Sequence, residues 1–199
     1  MKRLFTTSIL IASAYILSAL VRTFIVQVYY IPTVSMEPSL YVNDRVLVVK
    51  QNIIDQNLET GDIVVFYPAE NELKKGIDLF LDSLNIVKLV NPELADVVYI
   101  KRIVGKGGDR IRISENGKIF VNEIQDNRYV INNISLSEHI DITIPNNQYF
   151  LMGDNVENSI DSRSFGPINK ENIVGKAVIK LYPINKISRL NDWTRNMGW

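Results

Sequence analysis

Residues 97–104 read VVYIKRIV, and residues 105–109 close the run as GKGGD. β-Branched and aromatic side chains crowd the octet and a glycine-rich turn ends it, so a strand is expected. Alternation along that strand puts Tyr99, Lys101 and Ile103 on one face and Ile100 and Arg102 on the other. Similar runs recur on both sides. Upstream lie Arg45–Lys50 (RVLVVK) and Ile63–Tyr67, the latter fed by the turn residues Gly61-Asp62. Downstream, Arg110–Ser114 and Lys118–Asn122 flank Asn116-Gly117, a two-residue hairpin signal. Ile140–Ile144, Tyr149–Met152 and Ile173–Leu181 complete the set, and Thr23–Ile31 reads as a further strand broken by Pro32. Many short strands with Gly, Pro and Asn punctuation predict a mainly β domain.

Two stretches depart from this pattern. Leu4–Val21 (LFTTSILIASAYILSALV) is 18 residues without a charge, preceded by Lys2 and Arg3 and followed by Arg22. As a helix it covers about 27 Å, near the thickness of a hydrocarbon core. The basic residues ahead of it place the N-terminus in the cytoplasm and the rest of the chain on the outer face. A cleaved secretory leader is the competing reading. It fits less well, because the apolar run exceeds the usual ~7–15 residues and continues into strand-like sequence. The second stretch, Leu73–Val90, has apolar residues at 77, 80, 81, 84, 87 and 90. That spacing is helical, and it predicts a helical insert that covers core or rests on the bilayer.

The chain has 199 residues, enough for one domain and an appendage. Lys+Arg and Asp+Glu both number 22, for zero formal net charge, so no global basic field exists to hold nucleic acid. The absence of cysteine excludes disulfides, a Cys nucleophile and thiolate metal sites. The one histidine, His139, lies in the polar stretch LSEHID and reads as a surface residue. No HExxH motif, clustered metal-type carboxylates or phosphate-binding loop is present. No metal and no cofactor is therefore expected, and the chain is expected to act as a monomer.

A hydrolytic chemistry without His or Cys must use another base, and what remains is serine with lysine. Ser35 sits between two prolines in Ile31-Pro32-Thr33-Val34-Ser35-Met36-Glu37-Pro38-Ser39-Leu40, a loop stiff enough to hold a side chain in one orientation. Lys101, flanked on its own face by Tyr99 and Ile103, would be desolvated, which favours the neutral amine. A neutral lysine can accept a serine proton, as in Ser-Lys variants of the Ser-His arrangement. The residues alone leave a solvated lysine and a turn serine standing beside that reading.

Taken together, these segments resemble the bacterial type I signal peptidase (leader peptidase) family. The likeness starts at Arg22-Thr23-Phe24 and runs into residues 31–40. It continues through Gly61-Asp62-Ile63-Val64-Val65-Phe66, residues 99–109, and Gly153-Asp154-Asn155 to Arg163, and closes at Phe165-Gly166-Pro167. The blocks fall in the family's order behind an N-terminal anchor. The resemblance implies a β-sheet catalytic domain with a Ser35 nucleophile and a Lys101 general base. Ser159 would orient Lys101, and the Thr33 hydroxyl with the Ser35 amide would form the oxyanion hole. Asp161 and Arg163 would brace the Ser159 loop. Ile31, Pro32, Met36, Leu40, Tyr99 and Ile100 would line pockets for small side chains at −1 and −3. Asp109 and Asp154 would be turn and strand-end scaffolding.

The implied organisation is a cytoplasmic N-terminus and transmembrane anchor in residues 1–22 and an extracytoplasmic catalytic domain in 23–199. The domain would carry the helical insert at 73–90 and a reduced β cap at 111–148. The implied partners are signal peptides of exported preproteins and the lipid bilayer of the inner (plasma) membrane. Gly107 stands where many members have proline, and Val156-Glu157 replaces a commoner Arg-Asp pair. Three other readings fit parts of the sequence. A peptidase dedicated to one secretion or conjugation system and an inactive anchored β domain that binds exported proteins both keep the architecture. A self-cleaving repressor would need a DNA-binding domain where this chain has its apolar span.

Overall fold

An apolar run without Gly or Pro gives helix α1, Lys2–Phe24, in the computed structural model, which describes residues 2–54, 58–68, 80, 81, 83, 84, 98–131 and 140–190. The helix outlasts the expected span. The Thr23 hydroxyl donates to the Ala19 carbonyl at 2.8 Å, and the Ile25 amide donates to the Val21 carbonyl at 2.9 Å. The strand expected from Thr23 therefore starts only at Val26. Few apolar side chains of α1 are covered: Leu4, Phe5, Leu10, Ile11 and Leu17 are all exposed. A helix of this composition has no stable place in water, so α1 is not a core helix.

The strands follow as β1 (Val26–Tyr30), β2 (Arg45–Lys50), β3 (Ile63–Phe66) and β4 (Tyr99–Lys106). Next come β5 (Arg110–Ile113), β6 (Lys118–Val121), β7 (Ile124–Val130), β8 (Ile140–Thr143) and β9 (Gln148–Met152). The set ends with β10 (Ile168–Asn169), β11 (Ile173–Tyr182) and β12 (Ser188–Arg189). The short helices α2 (Gln51–Ile54) and α3 (Ser162–Phe165) interrupt them. Among the described residues the strands form two antiparallel sheets. The larger runs β1-β2-β11-β3-β4-β9-β10, with β12 on β11, and the smaller runs β7-β6-β5-β8. The fold is mainly β behind an apolar helix, as the sequence predicts.

Strand alternation sorts the side chains of β4. Ile100 packs with Ile31, Met36, Leu40, Val46, Val48, Ile63 and Val65 in one cluster. Tyr99 and Ile103 join Leu58, Val64, Phe66, Leu151 and Ile168 in another. The smaller sheet has its own cluster, built on Ile111, Ile119, Tyr129 and Ile144 and continued by Val104, Phe150 and Met152 of the larger one.

Some local expectations need correcting. The β5–β6 connection is a three-residue loop, because the Ser114 amide donates to the Lys118 carbonyl at 3.0 Å and Gly117 takes φ 78°. A left-handed glycine after a turn is the usual three-residue hairpin, so Asn116-Gly117 marks the hairpin but not the two-residue type. Strand β7 adds to the set that the sequence predicts. Of the helical insert at 73–90, residues 80, 81 and 83 are helical and 84 closes the turn. The rest of the insert and His139 lie outside the described residues.

Candidate active site

Pro32, Thr33 and Val34 lead the chain out of β1 into a single 3-10 turn, Val34–Met36. The Glu37 amide donates to Val34 O at 3.1 Å and the Leu40 amide to Met36 O at 2.8 Å. The loop is tied at its base, where the Ile31 amide donates to Asp44 O and the Asn43 amide to Ile31 O, both at 2.9 Å. Met36 and Leu40 anchor it in the core, which leaves Ser35 fixed at its tip.

Lys101 comes from β4, opposite Val64 of β3. Its Nζ lies 2.7 Å from Ser35 Oγ across 66 residues of sequence. Lys101 and Ser35 are each only 5% exposed. Burial pushes the Lys101 ammonium down from 10.5 to about 8. Asp161 and Asp154 oppose that shift and Arg163 adds to it. Thr33 Oγ1 lies 3.3 Å from Ser35 Oγ, on the same side of the loop tip.

The Ser159 segment closes the site from the end of β9. The Gly153 amide donates to Asp161 Oδ2 at 3.0 Å. A Cβ at Gly153 would collide with Ser159 Oγ and lie 2.5 Å from Ser35 O, so only glycine lets these groups approach. The buried Ser159 Oγ has no hydrogen-bond partner among the described residues, so the hydrogen bond to Lys101 implied by the resemblance is not formed here. Arg163 holds Asp161 through Nε and Nη2 at 2.8 and 3.0 Å, and Nη2 also reaches the carbonyls of Val156 and Ser159. Asp109 receives the Lys106 amide and the Asn122 side chain in the turn after β4.

The residues assigned to pockets divide by exposure. Ile31, Met36 and Leu40 are fully covered, so in this conformation they back a wall and do not surface it. Pro32 is exposed, and Tyr99 and Ile100 are half-buried. Tyr99 meets Phe66 edge to face. Pairing of β4 with β9 begins at Arg102↔Met152, so Tyr99, Ile100 and Lys101 have no β9 neighbour. Among the described residues β1 is likewise an edge strand, paired with β2 alone in the larger sheet. Unpaired edges beside a buried serine can take up an extended peptide. Among the described residues no three His, Asp or Glu side chains converge on a metal position.

Sequence reading missed Arg102 and Asn155. Arg102 is buried and bound to Asp154 by two hydrogen bonds, at 2.8 and 2.6 Å. Asn155 donates its amide to Ser35 O at 3.1 Å and its side chain to Val34 O at 3.2 Å. For Arg102 the available signal is its place between Ile100 and Val104 on the face of β4 opposite Lys101.

The signal peptidase, peptidase S26 family model matches residues 4–182. The chain belongs to that family. A probable signal peptidase I-2 of Synechocystis sp. (strain ATCC 27184 / PCC 6803 / Kazusa) is 33% identical over 90% of this chain and 74% of its own. Signal peptidase IB of Staphylococcus aureus (strain N315) is 31% identical over 93% of both chains. These relatives make the chain a serine endopeptidase of the signal peptidase I kind. A crystal structure of a signal peptidase I from Enterococcus faecalis V583 aligns with 61% of this chain and 97% of its own at 18% identity. Its TM-score of 0.38 is too low to bear on the site.

Proposed function

We propose that this chain is a membrane-anchored endopeptidase that removes N-terminal signal peptides from exported preproteins through a Ser35 nucleophile and a Lys101 general base. One observation carries the reading: two buried groups from distant parts of the chain, Lys101 Nζ and Ser35 Oγ, lie 2.7 Å apart. A base within hydrogen-bond reach of the proton it removes is the first requirement of such chemistry.

Burial supplies the second requirement. With its pKa near 8, Lys101 is neutral in roughly one molecule in ten at pH 7, whereas an ordinary lysine almost never is. The neutral amine takes the Ser35 proton as Oγ attacks the scissile carbonyl. The Ser35 amide sits in the first turn of a helix, where no intrahelical carbonyl is available to it. That amide and the Thr33 hydroxyl receive the developing oxyanion, a contribution of about 2.7–4 kcal/mol per donor at comparable sites. The Lys101 ammonium protonates the leaving amine, and the regenerated amine then activates a water that hydrolyses the acyl ester on Ser35. Ser159 orients Lys101 once the ammonium seeks an acceptor, and the Asp161–Arg163 pair holds the Ser159 loop in place.

The substrate lies extended along the open edge at Tyr99–Lys101, where main-chain hydrogen bonds give affinity. Pro32, Tyr99 and Ile100 surface shallow pockets, backed by Ile31, Met36 and Leu40. Shallow apolar pockets reject large side chains by overlap, which selects small residues at −1 and −3. Helix α1 spans the membrane with Lys2 and Arg3 on the cytoplasmic side, so the β domain works on the outer face. The test is cleavage of a preprotein whose leader ends in Ala-x-Ala, with mass spectrometry to locate the cut. Wild type should cut after the second alanine and Ser35→Ala should not. Full cleavage by Ser35→Ala would end the proposal.

A further inference from the structure

Ser39 closes the loop four residues after Ser35, and buried cations engage both of its oxygens. Arg102 Nη2 donates to Ser39 Oγ at 3.0 Å, and Lys180 Nζ donates to the Ser39 carbonyl at 3.3 Å. Neither cation is loose. Arg102 grips Asp154 at two points and donates through Nη1 to the Gly61 carbonyl at 2.6 Å. A guanidinium held in a two-point carboxylate contact has a fixed position and a fixed plane. Lys180 pairs with Asp44 at 2.9 Å, and the Asp44 carbonyl receives the Ile31 amide where the loop begins.

Arg102 directly follows Lys101 in β4. Consecutive strand residues send their side chains to opposite faces. Here each of the two ends on a serine hydroxyl of one loop, Lys101 on Ser35 and Arg102 on Ser39. The second contact has no part in the chemistry, but it fixes how the loop stands against the strand that carries the base. Asp154 completes the frame, because the next residue, Asn155, donates its amide to Ser35 O.

We infer that Ser39 is a positioning residue: its hydroxyl is the point at which Arg102 locks the loop of Ser35 to the strand of Lys101. The inference rests on Ser35 and Lys101 being the reacting pair. Without the hydroxyl the loop keeps its apolar anchors, so substrate still binds. The Ser35–Lys101 distance is then no longer held, and the loss falls on the chemical step.

The experiment uses the full chain in detergent and a peptide spanning an Ala-x-Ala leader end, with assays run well below each variant's measured melting temperature. Ser39→Ala should lower kcat about 10- to 100-fold, the scale of a misplaced reacting group. KM should stay within about 2-fold of wild type. Ser39→Thr, which keeps the hydroxyl, should recover kcat to within about 3-fold of wild type, and its isostere Ser39→Val should not. A role in stability alone would lower the melting temperature and leave kcat unchanged. The inference is overturned if Ser39→Ala or Ser39→Val turns over like wild type, or if Ser39→Thr is as slow as Ser39→Val. Ser35→Ala and Lys101→Ala run in parallel. Their inactivity keeps the reacting pair intact whatever Ser39 does, and wild-type turnover by either would remove the pair itself.

Discussion

Arg163 closes on Asp161 through two hydrogen bonds, Nε to Oδ1 at 2.8 Å and Nη2 to Oδ2 at 3.0 Å. The carboxylate is 0% exposed and also receives the Gly153 amide, so the pair joins the end of β9 to the Ser159 loop. Arg163→Ala would leave a buried carboxylate without its counter-ion, at a cost of about 3–5 kcal/mol. Thermal unfolding should show a clear drop in melting temperature. An unchanged melting temperature would mean that the pair braces nothing.

Gly153 allows the close approach of Ser159 Oγ and Ser35 O. Gly153→Ala should push them apart and misplace Ser35 against Lys101. We expect kcat to fall on the order of 100-fold, with KM much less affected. Steady-state kinetics on a leader peptide checks this, and a kcat near wild type would show that the segment yields without consequence.

The pH profile follows from the Lys101 amine. The base must be neutral to act and its pKa lies near 8, so kcat/KM should rise tenfold per pH unit below about 8 and level off above it. A profile already flat from pH 6 would rule out a lysine of that pKa as the base.

The same burial costs stability. Folding lowers the Lys101 pKa from 10.5 to about 8, so between those values the unfolded chain binds more protons than the folded one. Stability therefore rises with pH across that window. Lys50 is shifted in the same direction, also to about 8 by burial, and adds to the rise. Lys101→Met should abolish cleavage yet stabilise the protein at pH 7, by on the order of 1–3 kcal/mol, with the gain shrinking toward pH 10.5. Denaturant titration at several pH values measures this. A destabilised Lys101→Met at pH 7 would mean that the amine contributes more to the fold than its burial costs.

The strands most readily seen in the sequence are the apolar, β-branched runs, such as Arg45–Lys50 and Val97–Val104, the second of which the structure starts at Tyr99 and carries on to Lys106. Strand β7 is hidden for three reasons. Its turn, Asn122-Glu123, takes positive φ at both residues with no glycine to announce it. Its pairing with β6 then slips between Lys118 and Ile119, and Asp126 takes a buried position that an apolar residue would normally mark. Ser35 and Lys101 are legible because the order of the sequence blocks resembles a family; composition alone leaves a turn serine and a solvated lysine standing beside that reading. Ser39 and Arg102 are not legible, since their role exists only through a contact across 63 residues.

Acid quenching of the enzyme during turnover of an Ala-x-Ala leader peptide, followed by peptide mapping of the trapped ester, probes the reacting pair most directly. The expected result is an acyl group on Ser35 in wild type and none in Lys101→Ala. An acyl group on any other residue, or an equal burst on Ser35 without Lys101, would contradict it.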